Sequence, residues 1–325
     1  MDWTVGNAHD CTSKVNSKGQ TEDVFIAAYD HSKFEKPSLT IDDLLFTVCD
    51  EEEDNYRKVP SKELKVLLIK RKDHPFIGQW ALPGGFVGMN ESLDEAARRE
   101  LKEETNVEGV YLEQLYSWGE VKRDPRMRVL SVSYMALINC LQINVQAGDD
   151  AEDAQWFTVR RTILETTKEK TDHGYIKVKL IELTFTNKML SEKISAKVRE
   201  EIIVNGAVRE FRMEVIERNG LAFDHARIID CGLDRLANKI EYTTVIFNLL
   251  PERFTLTELQ KLYEIILNRQ ILPANFRREM IRQGKVIETD SFKLSSAGHR
   301  RAKLYRYNPE WDDSNDTIHK ENLRD

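Results

Sequence analysis

The sequence predicts an α+β chain: a mixed-sheet domain over residues 37–220, a connecting helix at 221–243 and a winged helix-turn-helix at 244–310. Three observations predict it. Runs dense in β-formers flank one short, acidic helical segment in the first half. A long amphipathic stretch at 222–242 separates that half from the C-terminal one. The C-terminal half holds helical segments, a turn, a further helix and two strand-like segments around a loop. Residues 1–36 read as an N-terminal extension and 311–325 as a polar tail.

Taken in order, residues 24–29 (VFIAAY) read as a short strand, and 38–49 (SLTIDDLLFTVC) is apolar enough for a sheet. Residues 64–69 (LKVLLI) are a further strand, and the polar, Pro-ended loop between the last two predicts a hairpin. Ser92 with Glu95 three residues on is a capping box for the acidic helix, and Ala96, Ala97 and Leu101 give it an apolar stripe. Strands are expected at 111–117, 129–138 and 156–159, the last closing the first domain's own set. Residues 174–185 are strongly β, and the segments 196–204 and 207–215 flank Asn205-Gly206, a strong hairpin signal. This stretch is read as added strands extending the first sheet.

Asp224 is placed to cap the long helix, whose apolar side is Ile228, Ile229, Leu233, Leu236 and Ile240. A short apolar helix at 244–250 ends at Pro251. Thr255 and Glu258 form a second capping box, for a helix reaching Leu267. Pro273 suits the first turn of the next helix, and Gly284 ends it. Segments 285–294 and 303–307 are the two strands of the wing.

Composition bounds the class. Hydrophobic residues make up 41% and charged residues 32%, as in a soluble globular protein. No apolar run approaches the roughly 20 residues of a membrane span, and the first residues lack the apolar core of a signal peptide. A cytoplasmic protein is expected, with Cys11, Cys49, Cys140 and Cys231 as reduced thiols. The chain carries a net charge of −7, yet ten Lys and Arg stand against three acids between Arg269 and Arg306. A basic segment in an acidic chain marks a surface for phosphate backbones, or else a basic face that offsets the acidic domain or joins two copies.

The chemistry concentrates at residues 84–107. Glu100, Glu103 and Glu104 sit at i, i+3 and i+4, so three carboxylates share one helix face. Such repulsion is relieved by a hard cation with oxygen ligands, Mg²⁺ above all. Gly84 and Gly85 before the helix give a backbone that can approach a metal or phosphate closely.

The spacing Gly85, Glu91, Arg99, Glu100, Leu101, Glu103, Glu104, Val107 resembles the Nudix box, with Asn106 standing where the pattern has glycine. That glycine ends a helix in the left-handed region, which Asn tolerates next best. Further matches are the loop Arg123-Asp124-Pro125-Arg126, the segments 221–225, 238–243 and 254–260, and Asn275-Phe276-Arg277-Arg278. Together they resemble the two-domain, Nudix-related transcriptional regulators of NAD and sugar metabolism, over the chain from about residue 39 onward. Only the 160–220 stretch is longer than that group usually has.

The resemblance implies a Nudix α/β/α sandwich and an ADP-ribose-like ligand. It implies Mg²⁺, or Mn²⁺ in its place, held by Glu100, Glu103, Glu104 and the Gly84 carbonyl. Arg99 then orients the carboxylates by pairing with Glu91 or a box glutamate. The catalytic set is Glu103, Glu104, Arg99 and Glu91, with the general base left open. Arg123, Arg126 and Arg128 either grip phosphate or ribose or pair with the acids at 149–153. Trp80 either stacks on adenine or belongs to the core. His225 either bonds its helix neighbours or meets a ligand or a domain interface.

Two activities are implied. The first is Mg²⁺-dependent hydrolysis of the diphosphate in an ADP-ribose-like nucleotide. The alternative is a DNA-binding regulator whose Nudix domain senses that nucleotide. In the regulator, Arg277, Arg278 and Arg282 face double-stranded DNA, and Arg300 and Arg301 lie at the wing. A homodimer suits either activity, and no membrane partner is expected.

Overall fold

The computed structural model describes residues 14–51, 61–106, 108–142, 151–294 and 301–311. The chain divides into two compact units, Met1–Pro37 and Ser38–Asp325. In the first, residues 24–29 are not a strand: helix α1 spans Glu22–Ala27. Glu22 and Asp23 in its first turn favour the positive end of the helix dipole. Phe25 and Tyr29, four apart, meet with ring centroids 5.6 Å apart.

The second unit is built on one sheet. Its strands are β1 (Ser38–Asp50), β2 (Lys62–Arg71), β3 (Trp80–Ala81), β4 (Tyr111–Trp118), β5 (Val129–Asn139), β6 (Ala151–Thr171), β7 (Gly174–Asn187), β8 (Glu192–Asn205) and β9 (Val208–Asn219). The order is β4-β5-β1-β2-β6-β7-β8-β9, with β3 paired to β2. β1 runs parallel to β5 and antiparallel to β2, which makes the sheet mixed. The expected hairpin of β1 and β2 forms, and β7, β8 and β9 extend the same sheet around Asn205-Gly206. The strand expected at 156–159 is the start of β6, which runs on for 21 residues.

Alternation along β1 explains the layers. Ile41 and Leu45 pack on one face with Ala96, Ala97 and Leu101 of helix α2 (Leu93–Thr105). Leu44, Phe46 and Val48 point the other way, into the core shared with helix α3 (His225–Tyr242). At the crossing a Cβ on Gly232 would stand 2.1 Å from the Leu44 side chain, so the helix lies directly on the strand. The result is a helix on each face of a mixed sheet, an α/β/α sandwich.

The C-terminal segment continues from α3 through a 3-10 turn (Val245–Leu249) to α4 (Leu256–Leu267) and α5 (Pro273–Arg282). The strands β10 (Val286–Leu294) and β11 (Arg301–Tyr307) pair antiparallel as a wing. Both capping boxes form, Ser92 with Glu95 and Thr255 with Glu258. Leu249, Phe254, Leu259 and Phe276 belong to the same core as α3 and the sheet. The C-terminal helices therefore pack on the α3 side of the sheet.

Two expectations need correction here. Cys49 and Cys140 form a disulfide, with Cα atoms 5.5 Å apart. The parallel register of β1 and β5 pairs Val48 with Asn139, which brings the following residues together although 91 positions separate them. Cys231 is a free thiol. Asp224 occupies the N-cap position of α3, but its side chain does not cap the helix. No helix among the described residues is long and apolar enough to cross a membrane.

Asp230, on the buried side of α3, receives Arg161 Nε at 2.6 Å, while Arg161 also reaches Glu200 at 3.3 Å. Its second oxygen has no hydrogen-bond partner among the described residues. Burial pushes the Asp230 carboxyl up to about 6, against the pull of Arg161. An acid whose folded pKa is raised carries no penalty below its unfolded value, about 4, and a full one above about 6. Asp230→Asn is therefore expected to raise the urea midpoint more at pH 8 than at pH 5. Equal changes at the two pH values would show that ionised Asp230 is not a cost.

Candidate nucleotide site and winged helix

The loop from β3 to α2 folds across β1. Asp43 N–H donates to the Pro83 carbonyl and Ile41 N–H to the Gly85 carbonyl, each at 2.8 Å. The fit leaves no room for side chains. A Cβ at Gly84 would lie 2.1 Å from the Ile41 carbonyl oxygen, and φ there is +153°. A Cβ at Gly85 would lie 2.2 Å from a Glu100 carboxylate oxygen. Asn106 ends α2 at φ 55°, ψ 28°, the left-handed conformation expected of that position.

Arg99 is the hub of the acidic helix. Its Nε and Nη2 donate to the two Glu91 oxygens at 2.9 and 2.7 Å. Nη1 reaches Glu100 at 2.7 Å and Glu103 at 3.1 Å. Glu91 also accepts from Gly88 N–H at 2.6 Å. Arg99 followed by that backbone bond holds the Glu91 carboxyl down to about 2. Burial pushes Glu100 above the usual range, with the Glu103 and Glu91 charges adding to it and Arg99 opposing. A divalent cation would offset that charge. The Glu104 side chain lies outside the described residues, and among those described no three acids or histidines converge as ligands.

Arg99, Glu100 and Glu103 line a cavity of about 450 Å³ together with Asp42, Gly84, Gly85, Arg123, Arg126, Phe223 and His225. Arg123 is its charged floor, only 6% exposed at the side chain. It donates to Asp224 at 2.8 and 3.2 Å and to Asp42 at 3.2 Å. His225 Nδ1 accepts from Leu82 N–H at 2.8 Å, which places the ring proton on Nε2, 3.5 Å from Asp42. Burial alone would raise the Asp42 carboxyl. His225, Arg123 and Ser131 outweigh it and bring the group down to about 2.

The expected ligand-binding residues divide. Arg123 and Arg126 line the cavity, and each is already paired. Arg126 holds Asp124 through Nε and Nη2 at 3.1 and 2.8 Å; of the acids at 149–153, Asp149, Asp150 and the Glu152 side chain lie outside the described residues. Arg128 turns away and donates to the Gly119 and Glu120 carbonyls at 2.8 and 2.9 Å. Trp80 is 2% exposed, packs edge-on to Phe157 and donates to Glu192 at 2.6 Å. It is a core residue with no face for a base. Phe86 and Phe223 are on the cavity wall, and Phe223 is held at φ 50° with Arg71 5.0 Å over its ring. Sequence reasoning misses Asp42 and Phe223. The signal for Asp42 is an acidic residue inside an otherwise apolar strand.

In the winged helix, Arg277, Arg278 and Arg282 are exposed on α5. They bond Thr257, Asn275 and Glu279 respectively. Arg301 opens β11 and is exposed. Arg300 and the wing tip lie outside the described residues.

Comparison with known proteins agrees with both halves. Residues 56–178 match the NUDIX domain, and residues 246–307 match the NrtR DNA-binding winged helix domain. Over 289 residues, 88% of each chain, the sequence is 33% identical to the ADPR responsive transcriptional repressor NtrR of Acinetobacter baylyi. The ADP-ribose pyrophosphatase of Methanocaldococcus jannaschii is 43% identical over 96 residues, 30% of this chain and 56% of the relative. Among solved structures, Shewanella oneidensis NrtR complexed with a 27mer DNA superposes with a TM-score of 0.55 at 28% identity, covering 84% of this chain and 94% of that one. A MutT/nudix family protein from Enterococcus faecalis gives 0.60 at 30% identity, with 87% and 91% covered. With the acidic helix, the cavity and the winged helix in one chain, and similarity running through both, this protein belongs to the NrtR family of Nudix-related transcriptional regulators.

Proposed function

We propose that this chain is a DNA-binding transcriptional regulator whose Nudix cavity takes ADP-ribose or a close relative and thereby changes its hold on DNA. The observation that carries this reading is the match to an ADPR responsive repressor over 88% of each chain, through both domains. It reverses the order suggested by the box alone, where hydrolysis ranked first. Arg277, Arg278 and Arg282 on α5 present cations to the duplex. Binding to the chain's own upstream DNA, followed by fluorescence anisotropy, is expected to weaken with salt and again on adding ADP-ribose. No salt-sensitive binding with or without the nucleotide would sink the reading.

Hydrolysis of the nucleotide is a second reading, carried by the intact set Glu91, Arg99, Glu100 and Glu103 around one guanidinium. Glu100, Glu103 and Glu104, with the Gly84 carbonyl, would hold Mg²⁺ or Mn²⁺. Such a cation offsets phosphate charge and lowers the pKa of water. Arg99 fixes the carboxylates, and Arg123 and Arg126, held by Asp42, Asp224 and Asp124, line the wall that would face the diphosphate. Turnover of a nucleotide-sugar panel no faster than a Glu103→Gln/Glu104→Gln control would leave a sensor without catalysis.

A further inference from the structure

The sheet continues as a four-stranded arm made from β6, β7, β8 and β9. Its cross-strand register sorts the charges. Lys168 pairs with Lys177, Lys170 with Tyr175, and Thr166 with Lys179. The row continues across the sheet through Val204 to Arg209. One face of the arm thus carries Lys168, Lys170, Lys177, Lys179 and Arg209. Its one acid is Glu200, which is buried and already bound by Lys179 at 2.7 Å and Arg161 at 3.3 Å. Asp172 sits in the turn at the tip. The opposite face of the same strands carries Glu165, Glu169, Glu201, Glu210 and Glu214 around Arg199 and Arg212.

That arrangement opposes stability within the chain. Lysines directly opposite on neighbouring antiparallel strands repel. Among the described residues Lys168, Lys170, Lys177 and Arg209 make no ion pair; Lys168 instead lies 3.9 Å over the Tyr175 ring. Like charges set side by side, without counter-charges and with an aromatic among them, suit a polyanion.

The side of the sheet selects which polyanion. Arg161 shares this face and bonds Asp230 of α3, so the lysine row lies on the α3 side. The winged helix packs on that same side, in a continuous core. We infer that the lysine face of the arm is a second contact for the phosphate backbone of DNA, flanking the duplex that the winged helix holds. The inference rests on the regulator reading above. It assigns to the β6–β9 arm, which the box and the winged helix leave without a role, the task of lengthening the footprint. The contacts are to phosphate, so they add affinity without sequence preference.

The test is the salt dependence of binding for the full chain and for Lys168→Gln/Lys170→Gln/Lys177→Gln. Each phosphate contact contributes roughly 0.9 to the slope of log K against log salt. Three lost contacts should lower that slope by about 2–3 per protomer on a duplex with long flanks. The difference should vanish on a duplex trimmed to the winged-helix site, and ADP-ribose affinity should be unchanged. An Arg277→Gln/Arg278→Gln variant should instead weaken binding to both duplexes. If the wild type binds and the arm variant keeps its slope, the arm does not touch DNA and the inference is overturned. Loss of self-association or of acidic-vesicle binding with an unchanged slope overturns it equally. If the wild type binds no DNA, the regulator reading fails and the arm contact falls with it. An unchanged or raised melting temperature for the arm variant confirms that folding is intact.

Discussion

Arg123→Ala is expected to lower the free energy of unfolding by about 3–5 kcal/mol at neutral pH, the usual cost of removing one partner from a buried ion pair. Arg123 is the shared counter-charge of Asp42 and Asp224, both buried and almost inaccessible to water. Without it two carboxylates remain in a site that cannot solvate them. Lysine would not repair the loss, because one ammonium cannot reproduce the fork that meets Asp224 twice.

The pH dependence has a definite sign. Asp42 is depressed in the folded state from 3.8 to about 2. Its contribution is therefore present above about pH 4 and lost as pH falls toward 2. Removing Arg123 raises the Asp42 pKa, so acid unfolding should begin at a higher pH in the variant. Urea titrations at pH 7 and pH 4 decide the matter. A deficit of under about 1 kcal/mol at pH 7 would mean that Asp42 and Asp224 find other partners. Adding Asp224→Asn to Arg123→Ala should recover part of the deficit, as coupled neighbours do.

Gly85→Ala is expected to weaken ADP-ribose binding by about 10- to 100-fold, the range typical of a disturbed ligand shell, while the fold stays intact. The added methyl would land 2.2 Å from the Glu100 carboxylate. A carboxylate at the end of a flexible chain can swing aside, so the cost falls on the site. Gly84→Ala makes the contrast. Its methyl would meet the Ile41 carbonyl of β1 at 2.1 Å, and backbone cannot swing away. Calorimetric titration with ADP-ribose, beside the urea midpoint, separates the two. Wild-type affinity in Gly85→Ala would remove Glu100 from the binding site.

What is legible in the sequence is whatever rests on local periodicity or on fixed spacing. The acidic helix, its capping box, the left-handed Asn106 and the helices of the C-terminal domain are set by neighbours within a few residues, and they appear as expected. The site beyond the box is not legible, because it depends on register. Arg123 meets Asp224 across 101 positions and Asp42 across 81, and no local signal announces such a partner. Trp80 resembles a base platform because it precedes the box, but β3 pairing with β2 turns it into the core. The Cys49–Cys140 bridge is hidden for the same reason: parallel strands join residues far apart in the chain. Residues 24–29 fail differently, since a short, largely apolar run does not distinguish strand from helix.

The close crossing at Gly232 has a mechanical meaning. α3 begins beside the cavity at Asp224 and His225, and ends where Tyr263 of α4 bonds the Ile240 carbonyl at 3.1 Å. At 1.5 Å per residue the helix extends about 10 Å from Gly232 toward the cavity and about 15 Å toward the winged helix. At Gly232 helix and strand lie in direct contact, with unequal lengths of helix on either side. Any rigid rocking about that point would move the winged-helix end about 1.5 times as far as the Arg123–Asp224 end.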